Sequence, residues 1–125
     1  MLIEMLKGKI HRATITEADL DYMGSLTLDE DLMDAAGLKE YEKIQVLDIN
    51  NGNRIETYII RGKRGSGQVC INGAAAHLIH AGDLVIIISY CQVSNEESIG
   101  HHPQIVYVDA DNQILSISTE KHILI

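Results

Sequence analysis

The residues with the clearest chemical potential are Gly24 and Ser25, which end the segment Tyr22-Met23-Gly24-Ser25. A glycine before a serine leaves its carbonyl carbon sterically open, and a strained backbone can push the serine hydroxyl towards it. Attack would give an ester by an acyl shift from nitrogen to oxygen. Elimination would then leave dehydroalanine, and hydrolysis would leave a pyruvoyl group. A turn that leads into a helix is the alternative, and the local sequence does not choose between the two.

A second candidate group contains Arg54 and Tyr58, four residues apart on a predicted strand. At this spacing the two side chains point to the same face, about 13 Å apart along the strand, whereas Thr57 points to the other face. An arginine can hold a carboxylate through paired hydrogen bonds, and a phenol can deliver a proton. A surface arginine, a half-buried tyrosine and a strand threonine are also ordinary in a barrel, so this group alone does not identify a site.

Two further segments carry weaker signals. The run 72–76 (Asn-Gly-Ala-Ala-Ala) is typical of a turn from a strand into a helix, where backbone N–H groups can hold an anion. Tight packing of small residues explains the same run equally well. Lys9 and His11 share one face of a predicted strand, but polar pairs on a small barrel are usually solvated.

Other patterns predict no cofactor site. The loop Gly62–Gly67 lacks the spacing of a phosphate-binding loop and lies between predicted strands, which favours a flexible hairpin connection. No histidine has a cysteine or carboxylate partner at the spacing that metal ligands show, so no metal site is predicted. The histidines considered are His77, His80, His101, His102 and His122.

The elements that would position these residues are mostly strands. Alternating or β-branched runs predict strands over Lys9–Thr16, Ile44–Ile49, Arg54–Arg61, Leu84–Val93, Ile105–Val108 and Ile114–Ser118. The pair Asn51-Gly52 predicts a type I′ hairpin. Because Leu84–Val93 is apolar almost throughout, we expect a central strand that is buried on both faces.

Two short helices complete the predicted fold. Thr27 and Glu30 fit the pattern of a capping box, an apolar stripe follows, and Gly37 is the predicted end of this first helix. A shorter helix is predicted over Ala74–His80. The sum is a mainly β fold, a small closed or nearly closed β-barrel with two or so short helices.

Composition limits the class of protein. The 125 residues suit a single domain, and the net charge of −8 argues against nucleic acid and membrane partners. Any anion site must therefore be local, built from one or two cations. The start of the chain does not read as a signal peptide, and no apolar run could span a bilayer. With Cys70 and Cys91 expected to be free thiols, we expect a cytoplasmic protein.

Read in order, several segments of the chain resemble the aspartate 1-decarboxylase family. The matching stretches are Lys9-Ile10-His11-Arg12-Ala13-Thr14, Tyr22-Met23-Gly24-Ser25, Asp34-Ala35-Ala36-Gly37, Asn51-Gly52-Asn53-Arg54, Thr57-Tyr58, Gly65-Ser66, Asn72-Gly73-Ala74-Ala75-Ala76, and Gly82-Asp83 followed by Val85-Ile86-Ile87. Each stretch is weak alone, but their order and spacing together are specific. We expect the resemblance to cover about Met1–Tyr90 and to fade in the tail.

The resemblance implies a double-psi β-barrel in a homotetramer, with active sites between subunits. It implies self-cleavage of the single domain 1–125 into Met1–Gly24 and a chain of residues 25–125, in some members with a helper protein. The implied reaction converts L-aspartate to β-alanine for pantothenate and coenzyme A synthesis. It uses a pyruvoyl group made from Ser25, without metal or pyridoxal phosphate.

The resemblance also implies roles for individual residues. Ser25 becomes the pyruvoyl group that forms a Schiff base with aspartate, Tyr58 donates a proton, and Lys9 and Arg54 hold carboxylates. Further implied substrate contacts are Thr57, Gly73, Ala74 and Ala75. The positions implied in processing or site geometry are Gly24, His11, Tyr22, Asn72 and again Thr57. The alternatives are a pyruvoyl decarboxylase of another amino acid and a non-catalytic β-barrel binding module.

Overall fold

The structure, a computed structural model, describes residues 1–119 and consists mainly of strands. The strands are β1 (Leu2–Thr14), β2 (Glu17–Asp19), β3 (Ser25–Asp29), β4 (Lys43–Asp48), β5 (Arg54–Gly62), β6 (Val69–Asn72), β7 (Leu84–Ser94), β8 (Gln104–Val108) and β9 (Ile114–Ser118). The helices are α1 (Glu30–Ala36), a 3-10 helix (Gly73–His77) and α2 (Asn95–Ile99). The predicted mainly β fold is confirmed.

The strands form one sheet that curls back on itself. Their order is β2-β6-β3-β5-β4-β7-β1-β8-β9. Just beyond the end of β1, Thr16 donates its backbone N–H to the carbonyl of Val69 in β6 at 2.8 Å, and its hydroxyl accepts from the N–H of Val69 at 3.0 Å. The strands from β6 to β1 therefore surround one core, as a small barrel requires. The double-psi connection stays a prediction.

The barrel interior is aliphatic, as expected from a chain with five tyrosines and no phenylalanine or tryptophan. Ile10, Leu26, Ile59, Ile71 and Ile87 are fully buried there. Because side chains alternate along a strand, the neighbours of these residues point to the outside of the barrel. This alternation decides which candidate residues can meet on the outer face.

Strand β7 differs from its prediction. Val85 and Ile87 are buried inside the barrel, whereas Ile86 and Ile88 on the outer face are only half-buried. The expectation of burial on both faces is thus wrong for the single chain, because only one face of the sheet meets the core. Among residues 1–119, no helix is long and apolar enough to cross a membrane.

Strand β1 also differs from the predicted strict alternation. Its register against β7 shifts between His11 and Ala13, where Arg12 adopts a φ of 65°. The extra residue of this bulge lets Ile10 and Ala13 both face the core, although they are three residues apart. Lys9 and His11, which precede the shift, share a face as predicted.

The β4–β5 connection is longer than the predicted type I′ turn. Only Gly52 has a positive φ, whereas that turn requires one at both central residues. The Asp48 carboxylate instead accepts the N–H groups of Asn50 at 2.8 Å and Asn51 at 3.3 Å. These hydrogen bonds to the Asp48 carboxylate stabilise the longer loop in place of the predicted two-residue turn.

Helix α1 begins later than predicted, because Thr27 lies in strand β3. The capping residue is Asp29, whose carboxylate accepts the N–H of Asp31 at 2.8 Å. The same carboxylate accepts the N–H groups of Gly65 at 3.0 Å and Gly67 at 2.8 Å. The glycine-rich loop after β5 therefore binds a carboxylate of its own chain. The prediction of a hairpin connection is wrong, because β3 lies between β5 and β6 in the sheet.

The ends of the helices complete the comparison. Gly37 ends α1 with a φ of 71°, as predicted. The second predicted helix, Ala74–His80, is a 3-10 helix that starts at Gly73 and ends at His77. It follows β6 directly and therefore continues from the strand that lies beside Ser25.

Candidate active site

Ser25 begins β3 and lies opposite Asn72, the last residue of β6. Both are buried, with relative exposures of 1% for Ser25 and 3% for Asn72. The side-chain amide of Asn72 donates to Ser25 Oγ at 3.0 Å and to Thr27 Oγ1 at 2.9 Å. Ser25 Oγ donates to the carbonyl of Met23 at 3.1 Å. The hydroxyl is thus held on two sides inside the protein.

Gly73 packs directly against the backbone before Ser25. A Cβ at Gly73 would lie 2.7 Å from Gly24 Cα, 2.8 Å from Gly24 N and 3.1 Å from the carbonyl oxygen of Tyr22. A Cβ at Gly24 would meet no atom within 4 Å. Gly24 therefore has free space where a side chain would stand, and the openness of its carbonyl carbon to Ser25 stays a prediction. Gly73 has a positive φ of +77°, whereas the φ angles of Gly24 and Ser25 are not positive.

Tyr58 lies beside Ser25 on the neighbouring strand. Leu26 of β3 pairs with Ile59 of β5 in parallel, so the preceding residues, Ser25 and Tyr58, are also side by side. Side chains in such a row leave the sheet on the same face. Asn72, Ser25 and Tyr58 therefore form one row across three strands on the outer face of the barrel.

Lys9, His11 and Arg54 share this outer face but lie farther along it. The pairings of β1, β7, β4 and β5 put His11 and Arg54 at the two ends of one row, with Ile86 and Leu47 between them. Lys9 belongs to the next row. Since adjacent strands are about 4.8 Å apart, His11 and Arg54 are separated by roughly 14 Å along the sheet.

The single chain does not bring the predicted carboxylate-binding residues to Ser25. Arg54 is about 13 Å along β5 from Tyr58. Lys9 is four strands from β3 in one direction around the barrel. In the other direction, across β6, Lys9 lies seven residues before Thr16, which contacts Val69 of β6. The guanidinium of Arg54 donates to the side-chain oxygen of Gln45 in its own chain. The structure thus separates two groups of candidate residues, one around Ser25 and one around Arg54.

The remaining predicted residues differ in their surroundings. Thr57 pairs with Ile44 and points to the core side, so it is not on the face of Ser25. Tyr22 is 51% exposed, and the His11 ring contacts Tyr107 edge-on at 5.7 Å between centroids. Ala74 is exposed and Ala75 half-buried, directly after Asn72 and Gly73 in the chain.

The charges near Ser25 within one chain are mainly negative. A cleft of about 320 Å³ borders Asn72 and is lined by Glu17, Asp19 and Arg61, among others. Arg61 already pairs with Glu30 at 3.2 Å. Such a cleft repels a dicarboxylate. Within residues 1–119, no three His, Cys, Asp or Glu side chains are grouped to hold a metal ion.

Thr27 and Cys70 belong to the site but were not among the predicted site residues. Thr27 was interpreted as a helix cap, although Ser25-Leu26-Thr27-Leu28 alternates polar and apolar residues as a strand does. Cys70 pairs with Thr27 across β6 and β3, and its thiol donates to the side-chain oxygen of Asn72 at 3.2 Å. Cys70 and Asn72 are two residues apart on β6 and share a face, but no strand was predicted there, so the contact was missed.

Comparisons with known proteins identify the family. The family model described as aspartate decarboxylase matches residues 1–115. The chain belongs to the aspartate decarboxylase family. It is similar to the aspartate 1-decarboxylase of Acetivibrio thermocellus, with 60% identity and coverage of 98% of both chains. It is also similar to those of Caldicellulosiruptor saccharolyticus, 59% identical over 97% of this chain and 94% of the relative, and Corynebacterium efficiens, 59% identical over 96% and 88%.

These matches confirm the resemblance and correct its extent. We expected the similarity to fade after Tyr90, but the aspartate decarboxylase match continues to residue 115. The additional segment contains β8, which pairs in parallel with β1 through Lys9 and Ile105. The family pattern therefore extends beyond the barrel strands to this added strand.

Exchange of Gly73 for alanine tests the close packing against Gly24. We expect Gly73→Ala to lower the free energy of unfolding by about 1–3 kcal/mol more than Gly52→Ala does, as measured by urea-induced unfolding. Gly52 is a matched control, because it has a similar φ of +79° but no atom within 4 Å of an added Cβ. Equal losses in the two variants would contradict the packing argument.

Proposed function

We propose that this protein is an aspartate 1-decarboxylase that converts L-aspartate to β-alanine and CO2 for pantothenate and coenzyme A synthesis. The observation that carries the proposal is the family match over residues 1–115, with relatives of up to 60% identity that bear this name. The arrangement around Ser25 supports the chemistry by which such a chain could make its own reactive group.

In this proposal, maturation begins when Ser25 Oγ attacks the carbonyl carbon of Gly24. A C–O bond forms, the C–N peptide bond breaks, and the hydroxyl proton passes to the freed amine. Elimination then releases the carboxylate of Gly24 and leaves dehydroalanine, which reacts with water to give ammonia and a pyruvoyl group. The products are Met1–Gly24 and residues 25–125. The Asn72 amide at 3.0 Å from Oγ and the packing of Gly73 on Gly24 support this step.

The pyruvoyl group supplies the electron sink that loss of CO2 from an α-amino acid requires, so the scheme uses no metal and no pyridoxal phosphate. Position 25 suits such a group, because it is buried beside the Asn72 amide, a hydrogen-bond donor. Tyr58 is the proposed proton donor. Its position beside Ser25 on the outer face supports delivery of a proton to the carbon that has lost CO2.

Arg54 and Lys9 are the proposed carboxylate-binding residues, supplied to Ser25 by a neighbouring subunit of a homotetramer. Their distance from Ser25 within one chain and the acidic cleft beside Asn72 both favour this division. The apolar centre of the outer face also supports it. Ile86 and Ile88 are only half-buried there, and a second copy could cover them.

The other residues implied by the resemblance receive secondary roles in the proposal. Gly73, Ala74 and Ala75 follow Asn72 and suit contacts with substrate. Thr57 points to the core, so we assign it to site geometry. His11 and Tyr22 are assigned to site geometry as well. The scheme also allows a maturation helper protein, as the resemblance implies for some members of the family. The free thiols of Cys70 and Cys91 suit the proposed cytoplasmic location.

Denaturing mass spectrometry tests the proposed maturation. After incubation with and without cell extract, we expect the wild-type protein to give a Met1–Gly24 fragment and a partner chain blocked by pyruvoyl. Ser25→Ala cannot form the ester, so it should stay whole, assemble normally and make no β-alanine. A wild-type chain that remains intact under both conditions would refute the proposal, as would β-alanine production by Ser25→Ala.

Tyr58→Phe tests the proton donor. The change removes one oxygen and keeps the ring that contacts Tyr41, at 6.5 Å between centroids. We expect normal cleavage by mass, because Tyr58 has no part in the ester step. The rate of β-alanine formation should fall by about a hundredfold or more. Wild-type turnover in a fully cleaved variant would remove Tyr58 from the mechanism.

Mixed tetramers test whether Arg54 serves the Ser25 of another subunit. Ser25→Ala and Arg54→Ala should each be inactive alone. When the two are co-expressed equally, about a quarter of the interfaces join an intact Ser25 to an intact Arg54, so we expect about a quarter of wild-type activity. Absence of activity in tetramers shown by native mass spectrometry to be mixed would place Arg54 with the Ser25 of its own chain.

A further inference from the structure

Three neighbouring strand positions on the outer face form a connected hydrogen-bond network around Asn72. The Asn72 amide nitrogen uses both its protons, one on Ser25 Oγ at 3.0 Å and one on Thr27 Oγ1 at 2.9 Å. The Asn72 amide oxygen accepts from the Cys70 thiol at 3.2 Å. The exposures of Asn72 and Cys70 are 3% and 5%, so water does not substitute freely for these partners.

The orientation of the Asn72 amide follows from the number of protons available. Ser25 has one hydroxyl proton, which it donates to the Met23 carbonyl at 3.1 Å. It can therefore only accept on the side that faces Asn72, and Asn72 must present its NH2 group there. The amide oxygen then points to Cys70, which must act as the donor.

We propose that Cys70 is a positioning residue for the maturation step, because its S–H group fixes the Asn72 amide in the orientation that directs the NH2 group at Ser25 Oγ. This role rests on the proposed function, since it concerns the same attack of Ser25 on Gly24. Cys70 touches neither reacting atom. It acts only through Asn72.

The surroundings of Cys70 keep it a donor. Burial, and after it the negative charges of Glu17 and Asp19, raise the pKa of the Cys70 thiol. The sulfur therefore retains its proton at neutral pH. The only other acceptor found near it in the described part of the chain, the carbonyl of Ile71, is farther away at 3.9 Å.

Loss of this donor changes the network in a defined way. Without the S–H group, the buried Asn72 oxygen has no donor in its present orientation, and a 180° turn of the amide would point that oxygen at Ser25 and Thr27 instead. Ser25 would then turn its proton from Met23 towards Asn72. The hydroxyl would leave the orientation from which maturation starts, and cleavage would slow.

A time course of cleavage tests the proposal. Wild type, Cys70→Val, Cys70→Ala and Cys70→Ser are made by cell-free translation, so that each time course starts from the uncleaved chain, and release of Met1–Gly24 is followed by mass. Val and Ala lack a donor, and we expect both to cleave at least tenfold more slowly than wild type. Ser restores a donor and should cleave within about threefold of wild type.

Controls separate positioning from folding. Cys91→Val alters the other free cysteine, which lies on β7, and should leave the cleavage rate unchanged. Thermal unfolding of each variant shows whether it is folded. If the Cys70→Val variant does not fold because valine is larger than cysteine, the cleavage rate of the smaller Cys70→Ala variant decides the test. A folded Ala or Val variant with the wild-type rate overturns the role of Cys70, and so does a folded Ser variant as slow as Ala. A wild-type chain that never cleaves instead refutes the proposed function itself.

Discussion

The arrangement around Ser25 depends on one buried side chain, the amide of Asn72. It joins the end of β6 to the start of β3 through contacts with Ser25 and Thr27. A buried amide that lost these partners would cost about 1–3 kcal/mol, and a one-residue slip of either strand would turn the partners to the other face. The polar network therefore specifies the register of β3 against β6 at the position where the chemistry is proposed to occur.

The barrel shape explains why the two groups of candidate residues are apart. Ser25 and Tyr58 lie on β3 and β5, whereas Lys9 lies on β1, and all three point outward. Outward side chains diverge around a closed sheet, so a single barrel cannot converge them on a small substrate. In the proposed assembly, a protein with a net charge of −8 can bind an anion, because the proposed cations, Lys9 and Arg54, act locally.

Much of this fold was readable from sequence, and the failures have physical causes. Alternation and β-branching predicted β4, β5, β7, β8 and β9 within a few residues of their bounds. Thr27 was misplaced, because a threonine followed by acidic residues satisfies a helix-capping pattern while the true cap is Asp29, which is held by two glycine N–H groups from the distant loop after β5. The bulge at Arg12 reverses which face the later residues of β1 point to, and no residue pattern in the sequence marks its position.

The resemblance to the family identified the candidate site residues, and the strand pairing in the structure showed which of them are neighbours. No local pattern predicts that Cys70 meets Asn72 on the outer face. Cys70 and Asn72 are two residues apart on β6 and so share a face, but β6 was not predicted as a strand. The contacts of Asn72 with Ser25 and Thr27 depend on the register of β6 against β3, which is a tertiary feature. The distance between Arg54 and Tyr58 along β5 follows from their spacing in the sequence, whereas the position of Ser25 beside Tyr58 depends on the register of β3 against β5, which periodicity does not encode.

The central position of β1 has a consequence for how the protein can be made. This strand pairs with β7 and β8 and contributes Ile10 and Ala13 to the core, yet it belongs to the part of the chain before Gly24. A cut after Gly24 would leave two polypeptides that are held together by the strand pairing and core contacts formed before the cut. Reassembly after denaturation would then require their encounter, and the unfolding midpoint would rise with protein concentration. In the proposed maturation, synthesis as a single chain makes this encounter intramolecular, provided that folding precedes the cut.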